Sequence, residues 1–123
     1  MTLTTTPTTR NQLWAQRAFE RVGDHQGKAK QDEFLTFAKR FPSLIHTCGL
    51  AQAIAFAQAR GHAEIVADLA AVLEVEGDAA LLAKRSRSEP LGVYLRLSRD
   101  ALVAAGWIKR YAEALLKDKK GGP

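Results

Sequence analysis

FPSLIHTCGLAQAIAFAQARG, Phe41 to Gly61, is the stretch on which the fold turns. Pro42 has no backbone donor and is expected to end a preceding helix, Ser43 can cap a new one, and Gly61 can close it. Between those limits Leu44, Cys48, Ala51 and Ala55 fall on one stripe, and Leu50, Ile54 and Ala57 on the adjacent one. A helix apolar around so much of its girth is expected at the centre of a helical bundle. In that setting Cys48 packs as a small hydrophobe.

Upstream, Thr9 is the expected N-cap of a first helix running to Val22, with Trp14, Ala15, Ala18, Phe19 and Val22 on one arc. Gly23 to Lys28 reads as a turn, followed by a helix with Phe34, Phe37, Ala38 and Phe41 at three- and four-residue steps. Downstream, Ile65, Val66, Leu69, Ala70 and Leu73 mark a helix from Ala63 to Val75, and Gly77 a break. Asp78 caps a short helix, and the charged run Lys84 to Glu89 is expected as a surface loop before Pro90 opens a further helical segment. The last helix is expected to start near Ser98 and reach Lys119, with Leu102, Ala105, Ile108, Ala112 and Leu115 as its buried seam.

No segment alternates with a period of two, so the fold class is all-α, a single compact bundle of about five to seven helices. A length of 123 residues with 46% hydrophobic residues suits one core. The expected boundaries are a disordered N-terminal tail over 1–9, a single helical domain over 10–119, and a flexible tail over 120–123. MTLTTTPTTR lacks the basic start and apolar run of a signal peptide. Charged residues interrupt every run that approaches a membrane span. The single cysteine leaves no intrachain disulfide and suits the reducing cytoplasm.

Catalytic and metal chemistry lack their usual parts. His25, His46 and His62 are dispersed, with no HxxxH or HExxH spacing. His46 and Cys48 are two residues apart, about 200° around a helix, which is poor geometry for a nucleophile and base pair. Asp32 with Glu33 and Glu74 with Glu76 sit near helix ends, where carboxylates are ordinarily solvated or complement a dipole. There is no GxxxxGK[ST] and no GxGxxG. The expectation is therefore no enzyme, no metal and no cofactor.

Charge is better organised. Eighteen lysines and arginines against thirteen acidic residues give a net charge of +5, which favours a polyanionic partner. Arg10, Arg17 and Arg21 fall within about 40° on the first helix. Arg99, Arg110 and Lys117 form a second line on the last helix, with Val103 and Gly106 between them and Lys109 at its flank. The alternative is a solvated face in which Glu113 pairs with Arg110 and Lys117. Lys39 with Arg40, and Lys84 with Arg85, sit near expected helix C-termini, where cations complement the dipole whatever the ligand. Trp107 and Tyr111, four apart, suit packing, a subunit interface or base stacking. The alanine faces Ala51, Ala55, Ala59 and Ala67, Ala70, Ala71 suit a core or contact between copies.

With these residues in view the chain resembles a known family, the small all-helical subunit of the type III-B CRISPR (RAMP module, Cmr) RNA-guided effector complex. The resemblance rests on RAFERV at Arg17 to Val22, on the Phe41 to Gly61 stretch, and on WIKRYAEAL at Trp107 to Leu115. Cys48 departs from the pattern, which favours a polar residue, often asparagine, before Gly49. The resemblance implies a noncatalytic subunit in antiviral defence, with several copies stacked along the complex beside guide RNA and target RNA while other subunits cut. Arg17, Lys109 and Arg110 lie in the matching motifs and are the contacts it implies, to RNA or to a neighbouring subunit. Arg10, Arg21, Arg99 and Lys117 are added by the helical-wheel reading alone. A helical DNA-binding regulator and a protein-only assembly adaptor are the alternatives.

Overall fold

The computed structural model describes residues 9–75 and 78–116. Its elements are α1 (Arg10–Gly23), α2 (Gln31–Cys48), α3 (Leu50–Ala59), α4 (Ala63–Leu73), α5 (Asp78–Ser88) and α6 (Leu91–Leu115), with no strand among the described residues. The all-α expectation holds. The expected tails lie outside the described residues, apart from Thr9, which caps α1 as expected. Its hydroxyl accepts the Gln12 amide at 3.0 Å while Gln12 Oε1 accepts the Thr9 amide at 2.9 Å, a reciprocal capping box.

The middle of the chain is divided differently from the expectation. Pro42 lies inside α2, which continues to Cys48, and the break falls at Gly49. A proline in a helix interior costs about 3 kcal/mol. On either side of it Phe37, Ala38, Phe41 and Ile45 are all buried at helical spacing. Burying side chains the size of Phe41 and Ile45 is worth about 1.5–3 kcal/mol each, so keeping both on one continuous helix outweighs the proline. Gly49 has φ +89° and ψ 159°, a region open essentially to glycine alone. Its amide still donates to Ile45 O at 2.9 Å and its carbonyl accepts the Ala53 amide at 3.0 Å, so the chain turns sharply without orphaning either group.

The turn dissolves the first stripe and keeps the second. Leu50, Ile54 and Ala57 are buried, whereas Leu44 and Ala51 are half-buried and Cys48 and Ala55 are exposed. Cys48 is thus a surface thiol at the α2–α3 corner and not the core residue its stripe implied. Lys39 and Arg40, expected beside a helix C-terminus, are exposed in the body of α2.

Helix α6 carries the other large revision. It starts seven residues before Ser98, after Pro90, and its 25 residues extend about 37 Å. Tyr94, half-buried, and Leu97, buried, continue the seam of Ala101, Ala104, Ala105, Ile108 and Ala112 back toward Pro90. Those contacts make the early start favourable and leave Ser98 in mid-helix. Leu102 and Leu115, expected in the seam, lie half-buried at its edges. The charged run before Pro90 is helical too: Arg85 Nε donates to Glu89 Oε2 at 2.7 Å, one turn apart, and Ser86 is buried.

Packed against α6 are α2 and α1, while α4 is set against α1, α5 and α6. The core gathers Trp14 and Val22 of α1, the aromatic face of α2, Leu50 and Ile54 of α3, Ile65 and Leu69 of α4, Leu82 of α5 and Ile108 of α6. Phe19, expected on the inward arc of α1, is instead 48% exposed. Among the described residues no helix is long and apolar enough to cross a membrane.

Candidate nucleic-acid and subunit interface

The three arginines of α1 share a face but are separated by their partners. Arg10 pairs with Asp100 of α6 and lies over the Trp14 ring, 4.6 Å from its centroid. Arg17 donates to the Val72 carbonyl at 3.1 Å and pairs with Glu74 at 2.6 Å, so it closes the C-terminal end of α4. Arg21 Nε donates to Asp68 Oδ1 at 2.9 Å, and the other oxygen of that carboxylate meets His25 Nε2 at 2.8 Å. Asp68 is only 2% exposed, and a carboxylate so deeply buried needs such partners. The α1 stripe read from the sequence is therefore largely engaged in tying α1 to α4 and α6. Asp68, the residue that explains Arg21, has no sequence signal beyond being an acid on the apolar face of α4.

The line on α6 is different. Arg99, Val103, Gly106 and Arg110 fall within about 60° of one another and face outward. Arg99 and Arg110 are exposed and form no ion pair among the described residues, and Val103 is 46% exposed. Lys109 is half-buried at the flank, without an ion pair among the described residues. Arg110 and Glu113, expected as a possible pair, do not form one in the structure. Lys117 lies outside the described residues. The strip from Arg99 to Arg110 spans about 16 Å of helix.

Beside this strip runs an aromatic row at the α1–α6 seam. The Trp107 indole donates to Asn11 Oδ1 at 2.8 Å, fixing its ring. Tyr111 is parallel to it at 5.8 Å, and Phe19 meets Tyr111 edge-on at 5.5 Å. Trp107, Val103, Gly106 and Arg110 line a shallow groove of about 330 Å³, with the missing side chain at Gly106 leaving its floor open. At the other end of α6, Leu91 and Leu95 are 72% and 51% exposed. The sequence reading missed this apolar pair because it began the helix at Ser98; Leu91, Leu95, Arg99 and Val103 at four-residue steps were the available signal.

Two of the three histidines pack on aromatic rings, each in a different place. His25 stacks on Phe34 at 3.8 Å, and His62 on Phe37 at 4.1 Å. His46 is exposed in the last turn of α2, where the expectation had a helix start. No group of three His, Cys, Asp or Glu side chains among the described residues is placed to hold a metal ion.

Six helices among the described residues pack around one core, and the last of them presents an outward basic and apolar face; the class is a small all-α protein. The sequence profile of a family described as "CRISPR-associated protein (Cas_Cmr5)" matches residues 10–115. The CRISPR system Cmr subunit Cmr5 of Thermus thermophilus is 41% identical over 113 residues, 89% of this chain and 98% of that protein. The crystal structure of a CRISPR-associated Cmr5 family protein from Thermus thermophilus aligns with a TM-score of 0.85 at 40% identity, over 90% of this chain and 100% of the other. The chain belongs to the CRISPR-associated Cmr5 family, as the three motifs suggested: RAFERV lies in α1, the Phe41 to Gly61 stretch joins α2 to α3, and WIKRYAEAL closes α6.

Proposed function

We propose that this chain is a noncatalytic structural subunit of a type III-B CRISPR RNA-guided RNA-silencing complex, cytoplasmic and acting in antiviral defence. Its family membership supports a place in such a complex and displaces the DNA-binding regulator. The observation that carries the surface assignment is the contrast between the two basic lines. The α1 arginines are held by Asp100, Glu74 and Asp68, whereas Arg99, Lys109 and Arg110 have no ion-pair partner among the described residues. Free cations along a rigid helix offer a phosphate backbone a sequence-independent track, with specificity left to base pairing between guide and target. The exposed Leu91 and Leu95 suit a protein neighbour, another subunit or a further copy of this chain.

The test is gentle purification of the tagged protein from its host, with identification of the proteins and short RNAs that accompany it. Larger CRISPR subunits together with RNAs sharing a repeat-derived 5′ end are expected. In the reassembled complex, the triple variant Arg99→Ala, Lys109→Ala, Arg110→Ala should keep its protein partners while the salt slope of RNA binding falls by about 2–3. Loss of the partners with unchanged RNA affinity would establish the protein-only adaptor instead. Recovery of genomic DNA without short RNA would overturn the proposal.

A further inference from the structure

A quarter-turn around α6 from the outward strip, a cavity of about 410 Å³ opens between α1, the end of α4, α5 and α6. Four guanidiniums line it, those of Arg10, Arg17, Arg85 and Arg96, against two carboxylates, Glu74 and Asp100. With Glu89 counted as well, whose carboxylate holds Arg85 at 2.7 Å, the cluster keeps one positive charge, the sign that attracts a phosphomonoester, which carries about 1.5 to 2 negative charges at neutral pH. Arginine is suited to that role because its planar fork of donors matches phosphate oxygens.

The guanidiniums are oriented without being used up. Arg10 is anchored through Nη2 to Asp100, and Arg85 through Nε to Glu89, so each keeps further N–H groups for a ligand. Arg17 is the most committed of the four, held by the Val72 carbonyl and by Glu74, although Glu74 is 67% exposed and that pair is solvent-screened. Arg96 is exposed and has no ion pair among the described residues, so its whole fork is available. Such anchoring reduces the entropy lost on binding. The remaining wall is apolar, formed by Trp14, Leu73, Val93 and Leu97. Trp14 and Leu97 are already buried, whereas Leu73 and Val93 are half-buried; a bare inorganic anion would leave these two in water, and a nucleoside attached to the phosphate would cover them.

We propose that this cavity binds a nucleotide through its phosphate, with the sugar and base against the Trp14 side. The nucleotide is either a free mononucleotide or the 5′-phosphorylated end of a strand, two sources of the same chemistry. This site is separate from the α6 strip and stands or falls independently of it.

The experiment is a titration of the full-length chain followed by the indole N–H resonances of Trp14 and Trp107. Uridine monophosphate, uridine, inorganic phosphate and a 5′-phosphorylated oligouridine serve as probes. The monophosphate should shift Trp14 saturably and leave Trp107 in place, while uridine alone should not. Oligouridine binding tighter than the monophosphate, with Trp14 shifted, would identify the strand end as the source; equal or weaker binding would identify the free nucleotide. Arg96→Ala should weaken monophosphate binding about tenfold, the scale of one charge-assisted contact. Arg40→Ala, an exposed arginine of α2, should leave it unchanged. Val93→Asp, which adds a carboxylate to the wall without touching an arginine, should weaken it as well. Absence of a saturable Trp14 shift, phosphate binding as tight as the monophosphate, or insensitivity to both Arg96→Ala and Val93→Asp would overturn the assignment.

Discussion

Replacing Gly49 with alanine should be among the more damaging single-methyl changes in this protein, and its cost follows from the backbone. At φ +89° and ψ 159° an L-residue is held in a region that costs about 1–3 kcal/mol. The added Cβ would sit 3.4 Å from the Tyr94 hydroxyl, an ordinary van der Waals contact, so the cost lies in the backbone. The strain of this near glycine-only region puts the loss at about 2–3 kcal/mol, or roughly 6–15 °C in Tm for a domain of this size. Two other glycines supply the scale. Gly61 has φ +82° with nothing within 4 Å of an added Cβ, so Gly61→Ala carries backbone strain alone. That strain is about 1–2 kcal/mol. Gly23 has ordinary φ and open space around it at the end of α1, so Gly23→Ala should stabilise by about 0.5–1 kcal/mol. Urea unfolding followed by far-UV circular dichroism would measure all three. If Gly49→Ala costs no more than Gly61→Ala, or Gly23→Ala destabilises, the conformational argument for the α2–α3 corner fails.

Three further outcomes are expected. Asp68→Ala should destabilise by about 2–3 kcal/mol, since it strips charge-assisted partners from His25 and Arg21; the value is held down because the Arg21 side chain is 42% exposed and can turn to solvent. A double-mutant cycle with Arg21→Met should show a coupling of about 0.5–1 kcal/mol, and zero coupling would mean that the ion pair contributes nothing to stability. Pro42→Ala should raise the urea midpoint, gaining about 1–2 kcal/mol by restoring a donor toward the Ala38 carbonyl, and a lowered midpoint would show that the proline ring contributes more by packing. Cys48 should react with a disulfide reagent in the folded protein about as fast as a free thiol, whereas a core cysteine would react only on unfolding.

Much of the fold and part of the surface were readable in the amino-acid order. Helical class, the Thr9 cap, and the inward faces of Phe34 to Phe41 and of Ile65 to Ala70 follow from local propensity and a 3.6-residue period, which each segment carries by itself. The outward line of Arg99, Val103, Gly106 and Arg110 follows from the same period, and the family is legible in three motifs. Breaks and partners were not legible. Proline is a strong local stop signal, and only the burial of Phe41 and Ile45 against the rest of the core makes a helix through Pro42 the lower-energy path, moving the break to Gly49. The early start of α6 likewise depends on Tyr94 and Leu97 finding a surface to pack against. A helical wheel places Arg10, Arg17 and Arg21 beside one another, but their partners Asp100, Glu74 and Asp68 come from segments 47 to 90 residues away. Periodicity is a property of neighbours along the chain; which charges are given partners inside the fold and which are left unpaired is decided only when distant helices meet.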